Sequence, residues 1–365
     1  QKHGKLTAAA CDSLKKLPIT LKLNTETIID GEAPYFKEAV LQYMKDFMPD
    51  FDPYTDGLKI YTTIDSRMQK YAEQAVTEHM KDVQRSFDDH WQGQGNPWRD
   101  ETGKELPNLV KRTDAYKVLE AKYGTHTDSI NYYLNKPHKV KLFSYKGEEE
   151  KEMSTLDSLR YMVKYMHSGF VAMEPSTGQI RAWVGAVDYK TWQYDKVTAM
   201  LQPGSTFKLF VYTTAMEQGM TPADTKRDDA ITLDVMDKET HQMQKWTPQN
   251  SNGRFTGRDL PLRLAFAQSI NTVAVRLGQD VGIDKVAETA HAMGVKSELD
   301  VTPALALGAS DVNLFEMVNA YATVANGGVH VEPELITKII ESEGDVVYEA
   351  KVKQNIAISP RSAFY

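Results

Sequence analysis

The chain has 365 residues, of which 41% are hydrophobic and 25% are charged, and its formal net charge is −7. This balance is typical of a globular protein with two or more domains and excludes bulk disorder. The absence of a basic stripe argues against nucleic acid as a partner. The single cysteine, Cys11, excludes an internal disulfide framework and a multi-cysteine zinc site. No His-Glu-x-x-His motif is present, so we expect no metal and no cofactor.

The beginning of the chain indicates a piece of a longer protein. It opens Gln1-Lys2-His3-Gly4, without an initiator methionine or a signal peptide. No apolar run approaches the length that spans a bilayer. We therefore expect no membrane segment in this chain, which leaves open whether the full gene product has an anchor.

The first elements are predicted by periodicity and by end signals. Helices are expected over residues 7–16 and 35–48, and a β-branched, alternating strand over residues 57–64. Asp65 can cap a long helix that runs to residue 87. The predicted apolar face of that helix contains Met68, Tyr71, Ala72, Ala75 and Met80. Residues 88–155 form a polar and aromatic accessory lobe with a strand pair that includes residues 138–145, and it carries no recognisable chemistry.

From Gly169 onward the sequence predicts an α+β fold. Residues 169–174 and 179–187 form a hairpin with apolar residues on both faces, which favours helices on both sides of a sheet. The remaining predicted elements are helices at 205–218, 261–268, 271–280, 283–293 and 311–325 (with Ser310 as N-cap), and strands at 334–341 and 346–351. A hairpin, then helices, then strands indicates one antiparallel sheet covered by helices.

The first candidate motif for chemistry is Ser205-Thr206-Phe207-Lys208, directly after Pro203-Gly204. Residues three apart share one face of a helix, so Lys208 can take the proton of the Ser205 hydroxyl at a helix N-terminus. A Ser-x-x-Lys motif has only two fixed positions and is expected by chance in a chain of this length, and Ser13-Leu14-Lys15-Lys16 matches it as well. Alone, Ser205 would be a helix N-cap and Lys208 a solvated lysine.

The second candidate motif is Ser269-Ile270-Asn271, at a break between two predicted helices. A hydroxyl and a carboxamide on a short corner can relay a proton and hold an amide of a substrate. Ser129-Ile130-Asn131 has the same pattern, and a helix cap is the simpler interpretation of either one. Ser205 and Ser269 differ from these alternatives because they follow each other within one continuous block.

In that block the sequence resembles the transpeptidase domain of penicillin-binding proteins. The resemblance covers the chain from Gly169 onward. The matching segments are residues 173–180 and 183–185 for the opening strands, 202–208 for the nucleophile motif, 246–250 for the loop after it, 268–271 for the second motif, and 303–308, 321–322 and 325–328 for a later helical segment. Ala33-Pro34-Tyr35-Phe36 and residues 57–65 resemble the junction of class A, bifunctional members, which links a glycosyltransferase to the transpeptidase.

The resemblance implies a penicillin-binding/β-lactamase-like α+β fold with a smaller N-terminal linker and accessory region. It implies that residues 1–52 are the tail of a glycosyltransferase domain and the junction, 53–168 the linker and accessory region, and 169–365 a transpeptidase domain that lacks its C-terminal end. Ser205 would be the acylated nucleophile, Lys208 the general base, Ser269 the proton relay to the leaving amine, and Asn271 a substrate-binding residue. The Ser205 N–H would be one oxyanion donor.

The implied activity is that of a D,D-transpeptidase in peptidoglycan biosynthesis. The implied partners are stem peptides that end in D-Ala-D-Ala, β-lactams, and an attached glycosyltransferase domain. The implied location is the cell envelope, on the periplasmic or extracytoplasmic side of the inner membrane. Two features differ from the family: no Lys-Thr-Gly triplet occurs, and Leu201 replaces the frequent arginine before Gln-Pro-Gly-Ser. A non-catalytic cell-wall-binding or scaffold module and a serine β-lactamase are the alternatives.

Overall fold

The computed structural model of the chain describes residues 31–94, 107–236 and 241–365. The predicted helix at residues 7–16, Cys11 and the alternative motif at residues 13–16 lie outside these ranges. The described helices are α1 (Pro34–Met44), α2 (Ser66–Trp91), α3 (Pro107–Arg112), α4 (Asp114–Tyr123), α5 (Thr127–Asn135), α6 (Thr155–Val163), α7 (Lys208–Glu217), α8 (Leu262–Ala267), α9 (Asn271–Val281), α10 (Ile283–Ala292), α11 (Leu314–Ala325) and α12 (Pro360–Phe364). Two 3₁₀ turns, Gly204–Phe207 and Pro303–Leu307, lie between them.

The strands lie in groups between the helices along the chain. They are β1 (Lys59–Thr62), β2 (His138–Leu142), β3 (Glu149–Met153), β4 (Phe170–Met173), β5 (Ile180–Val184), β6 (Thr225–Arg227), β7 (Leu233–Met236), β8 (Met243–Trp246), β9 (Asp259–Pro261), β10 (Val329–Val331), β11 (Ile336–Ile340), β12 (Val346–Glu349) and β13 (Gln354–Ile356). The predicted α+β class, with antiparallel strands covered by helices, is confirmed. The predicted strand pair of the accessory lobe is present as β2–β3, and its two strands are antiparallel.

The expected single sheet divides into two ladders in the described residues. One is the hairpin β4–β5 and the other is the antiparallel set β1–β11–β12. They meet at one parallel bridge, Gln179 to Glu334. There the Thr63 hydroxyl donates to the Ile180 carbonyl at 2.7 Å and to the Glu334 carbonyl at 3.0 Å, so a side chain fills the gap between the ladders.

Helices cover these strands and build three apolar clusters. The largest surrounds the start of α7, where Phe207 directly before the helix and Phe210 and Val211 within it are 0% exposed. It also includes residues of α9, α10 and α11. A second cluster packs α1 against Ile180 and Trp183 of β5 and against β11. A third packs α2 against other residues of β5. The candidate motifs therefore begin on helices whose opposite faces are held in one core.

Helix α2 begins as predicted but turns a different face toward the strands. Asp65 accepts hydrogen bonds from the N–H groups of Arg67 and Met68, which confirms the cap. The predicted apolar face is wrong for Met68, Tyr71 and Ala75, which are exposed, and correct for Ala72 and Met80, which are buried. The residues of α2 that are buried are Gln69, Ala72, Val76, Met80 and Gln84.

Two glutamine amides explain this rotation of α2. The Gln69 amide forms two hydrogen bonds to the backbone of Trp183 in β5, donating to its carbonyl at 2.8 Å and accepting from its N–H at 2.7 Å. The Gln84 amide in the same way donates to the Lys164 carbonyl and accepts from the Met166 N–H. Because these backbone groups would otherwise be buried without partners, the glutamines stabilise the buried face as much as an apolar contact would.

The predicted N-cap of the last long helix is also wrong. Helix α11 begins at Leu314, and the side chain of Asn313 accepts from the Glu316 N–H at 2.9 Å. Ser310 instead accepts from the Asp300 N–H at 3.1 Å. Val312, which lies between them, forms an antiparallel bridge with Leu201, so the helix starts later than the apolar pattern indicates.

Candidate active site

Ser205 lies in the 3₁₀ turn Gly204–Phe207, called the Ser205 turn below, which leads directly into α7. The turn requires the left-handed backbone that Gly204 supplies, with φ at 58°. Gly308 packs against it so closely that an added Cβ would lie 2.2 Å from the Gly204 carbonyl oxygen. The Tyr321 hydroxyl also donates to the Thr206 carbonyl at 2.9 Å. These contacts fix the backbone around an exposed serine.

Lys208 is the first residue of α7 and is almost fully buried, with 1% of its surface exposed. Its Nζ donates to the Ser269 carbonyl at 2.8 Å, to Ser269 Oγ at 3.0 Å and to Asn271 Oδ1 at 2.6 Å. None of these partners is a carboxylate. Burial lowers the pKa of the Lys208 amine to about 8. A minor fraction of this lysine is therefore uncharged near neutral pH, far more than of a solvated lysine.

The corner between α8 and α9 aims the second motif at Lys208. Ser269 adopts the left-handed conformation, with φ at 55°, which costs a residue other than glycine about 1–3 kcal/mol. Backbone hydrogen bonds from Ser269 to Phe266 and from Ile270 to Ala265 hold this conformation. The corner turns both oxygens of Ser269 toward the same amine.

Asn271 begins α9 and completes the site. Its Oδ1 accepts from Lys208, and its Nδ2 donates to the Gln249 carbonyl at 2.8 Å. The neighbouring Asn250 accepts the backbone N–H groups of Asn271 and Thr272 on one oxygen, at 3.0 and 3.2 Å. Asn250, in the loop of residues 246–250, thus provides the acceptor for backbone N–H groups in the first turn of α9, which have no partner within the helix.

The structure brings Lys208, Ser269 and Asn271 into direct contact and places Ser205 one turn before Lys208. The alternative Ser129-Ile130-Asn131 lies inside α5 of the accessory lobe, where Ile130 is buried and Asn131 is exposed. Lys208 Nζ forms hydrogen bonds with Ser269 and Asn271 and none with Ser205. A buried amine that contacts a hydroxyl and a carboxamide, three residues after an exposed serine, is an arrangement suited to acyl transfer.

The comparison with protein families decides the assignment. The penicillin binding protein transpeptidase domain matches residues 168–364, and the penicillin-binding protein middle domain matches residues 93–166. This chain belongs to the penicillin-binding proteins. The first of these matches contains both candidate motifs, and the second covers most of the accessory lobe.

Several of the related proteins are penicillin-binding proteins 1A. Penicillin-binding protein 1A of Rickettsia felis is 28% identical over 377 residues, covering 94% of this chain and 45% of the relative. The crystal structure of penicillin-binding protein 1A from Haemophilus influenzae has a TM-score of 0.62 and 26% identity, covering 97% of this chain and 54% of that one. The PonA1 protein of Mycobacterium tuberculosis, solved in complex with penicillin V, shares the fold, with a TM-score of 0.55 and 19% identity over 90% of this chain and 67% of that one.

This penicillin-binding chain spans about half the length of the relatives it matches. In the part of the chain that the structure describes, none of the helices combines the length and apolar character needed to cross a membrane. Residues that the sequence did not single out complete the site: Gly308 and Tyr321 at the Ser205 turn, and Asn250 at the start of α9. They were visible only as parts of longer matching segments, because each acts on a motif distant in the sequence.

Proposed function

We propose that this chain is the D,D-transpeptidase region of a peptidoglycan synthase, which cross-links stem peptides through an acyl-enzyme on Ser205. The environment of Lys208 carries the proposal. A lysine that is 1% exposed, with a pKa lowered by burial and with no carboxylate among its hydrogen-bond partners, is suited to act as a base. Its partners are the two residues expected to relay the proton and to hold the substrate.

In the first half-reaction, the neutral Lys208 amine takes the proton of Ser205 as Ser205 Oγ bonds to the carbonyl carbon of the penultimate D-alanine. The Ser205 N–H donates to the resulting oxyanion. The C–N bond then breaks, and Ser269 Oγ, 3.0 Å from Lys208 Nζ, relays the proton from the lysine to the departing amine. Asn271 holds the backbone of the stem peptide.

In the second half-reaction, an amine of a neighbouring stem peptide attacks the ester carbonyl. A new C–N bond forms, Ser205 Oγ leaves with its proton restored, and Lys208 accepts and returns the proton on the way. A β-lactam enters the same first step. Its ring C–N bond opens on attack, and the leaving amine stays attached to the acyl group, which blocks the second half.

The proposal extends to the larger protein around this chain. Residues 1–52 would be the tail of a glycosyltransferase domain and the junction, 53–168 the linker and accessory region, and 169–365 the transpeptidase. The expected location is the extracytoplasmic side of the cell envelope, where stem peptides are found. Lys-Thr-Gly occurs nowhere in the 365 residues, so the second oxyanion donor is not identified in them. Lack of one such donor typically slows acyl transfer about 100-fold or more.

Mass measurement of the intact chain after incubation with a penicillin tests the proposal. We expect one covalent adduct on the parent chain and on Ser129→Ala, which alters the matching serine in the accessory lobe. Neither Ser205→Ala nor Lys208→Ala should form it. An adduct that survives Ser205→Ala would place the nucleophile elsewhere. Rapid loss of the adduct with release of hydrolysed penicillin would favour a serine β-lactamase, and no adduct at all would favour a non-catalytic module.

A further inference from the structure

Asp228 is a fully buried carboxylate that forms no ion pair with any residue the structure describes. It follows β6 and is 0% exposed. Its Oδ1 accepts from Thr272 Oγ1 at 2.6 Å and from Asn250 Nδ2 at 2.8 Å, and its Oδ2 accepts from the Thr256 N–H at 2.8 Å. Burial raises the pKa of this carboxyl, but these hydrogen bonds outweigh it and lower the pKa overall. The group is therefore ionised at neutral pH.

The charge on Asp228 determines which way the Asn250 amide faces. Asn250 Nδ2 donates to Asp228 and also to the Arg254 carbonyl at 2.9 Å. Since both of these partners only accept, the amide nitrogen must face them, and Asn250 Oδ1 must face the start of α9. There it accepts the backbone N–H groups of Asn271 and Thr272.

The same hydrogen bonds connect Asp228 to the second motif. Asp228 contacts α9 directly through the Thr272 hydroxyl and indirectly through Asn250, so it binds the first turn of that helix in two ways. The Asn271 side chain leaves this turn to accept from Lys208 Nζ at 2.6 Å. Displacement of the turn would therefore move the carboxamide away from the amine.

We propose that Asp228 is a positioning residue that, through Asn250 and Thr272, holds Asn271 in the orientation required for acyl transfer from stem peptides and β-lactams. This inference rests on the proposed function. Asp228 touches neither Ser205 nor Lys208, so its effect on the reaction passes through the helix start. In sequence it follows Lys226 and Arg227 and precedes Asp229, which is typical of an exposed charged segment.

Asp228→Asn is the most conservative test, because it keeps the shape and removes the charge. One carboxylate oxygen becomes an NH₂ group, which must face a donor: the Thr256 N–H or the Asn250 amide. Either arrangement removes a hydrogen bond and allows the Asn250 amide to turn. Misplacement of a reacting group by about 1 Å can cost about 100-fold in rate, so we expect acylation of Ser205 by a penicillin to slow about 10- to 100-fold.

A double-mutant cycle separates positioning from general destabilisation. Acylation rates are measured for Asp228→Asn, for Asn271→Ala and for the double variant. If Asp228 acts through Asn271, the double variant is no slower than Asn271→Ala alone. The matched control is Asp195→Asn, which alters a half-buried carboxylate that accepts from Trp183 Nε1 at 2.7 Å and from the Val197 N–H at 2.8 Å. It should lower the melting temperature and leave the acylation rate unchanged.

Hydrogen exchange supplies a second readout that does not depend on acylation. Asp228→Asn should speed amide exchange over residues 268–275 and leave residues 314–325 unchanged. A parent chain that forms no adduct would refute the proposed function, and the exchange result would still decide the positioning inference. A parental acylation rate in Asp228→Asn, fully additive losses in the cycle, or unchanged exchange over 268–275 would each overturn it. If Asp228→Asn does not fold, Asn250→Ser, which removes the amide link alone, replaces it in both measurements.

Discussion

Replacing Asn271 by aspartate probes the electrostatics of the proposed reaction, because it places a charge beside Lys208 and keeps the side-chain shape. Asn271 Oδ1 lies 2.6 Å from Lys208 Nζ, and burial lowers the pKa of Lys208 to about 8. In the parent chain about a quarter of this lysine is therefore neutral at pH 7.5, against about one part in a thousand for a solvated lysine. The neutral amine is the form that can accept the Ser205 proton.

The carboxylate of Asn271→Asp favours the charged form of the lysine and so removes the base. An opposite charge in contact typically moves a pKa by about 1 to 3. The neutral fraction at pH 7.5, and with it the acylation rate, should fall about tenfold to nearly a thousandfold. In the parent the rate should rise with pH and level off above about pH 8, where the lysine has lost its proton. In the variant the rate should still be rising steeply there.

The assay is the second-order rate of penicillin adduct formation between about pH 6 and 9.5, followed by intact mass. Ser205→Ala corrects for nonspecific reaction at high pH. Asn131→Asp, at the asparagine of the alternative motif on α5, is the matched control and should keep the parent profile. If Asn271→Asp keeps the parent rate and the same pH dependence, Lys208 is not the base. A parent rate that rises tenfold per pH unit through pH 9.5 would show that burial does not lower the pKa of the lysine.

Three further substitutions test how the site and the fold are held. Gly308→Ala places a Cβ 2.2 Å from the Gly204 carbonyl oxygen, at a backbone φ of 74° that residues other than glycine rarely adopt. The acylation rate should fall at least about tenfold, and the free energy of unfolding, measured by calorimetry, should fall by about 1–3 kcal/mol. A parental rate would contradict the close packing. Tyr321→Phe removes one hydrogen bond to the Ser205 turn, so acylation should slow severalfold. The free energy of unfolding in urea should fall by less than about 1 kcal/mol. Gln69→Leu removes the hydrogen-bond partner of the Trp183 N–H and carbonyl, so the free energy of unfolding in urea should fall by about 2–4 kcal/mol. The acylation rate of the folded chain should be unchanged.

Local sequence signals predicted the longer elements. Asp65 caps α2, and the helices and strands that were predicted after Gly169 lie close to their observed ranges, because capping residues and apolar periodicity act over a few positions. The short strands β6 to β10 and β13 and the helix α12 were not predicted. The helix predicted from Ser205 begins instead at Lys208, because Ser205 lies in the 3₁₀ turn that leads into it. That Lys208 meets Ser269 and Asn271 is a contact between distant segments, which the order of the motifs indicated but spacing alone could not show.

The remaining features depend on partners that no local pattern indicates. From the sequence alone, Gln69 and Gln84 would be predicted to be solvated residues of a helix. Each is buried, because its amide forms hydrogen bonds with main-chain groups far along the chain. From the sequence alone, Asp228 would be predicted to lie in an exposed charged turn. It can be buried because Asn250, Thr256 and Thr272, which come later in the chain, donate hydrogen bonds to its carboxylate. A polar residue in the core can be recognised only when its hydrogen-bond partners are known.

The two buried glutamines of α2 also have a mechanical consequence. They lie 15 residues apart, about 22 Å along the helix axis, and one binds β5 while the other binds the segment that leads from the accessory lobe into β4. Both amides bind main chain, so mutations that change the side chains of Trp183 or Met166 leave these two attachments in place. The helix therefore acts as a brace between β5 and the segment that leads into β4, and this attachment tolerates changes of the side chains around it.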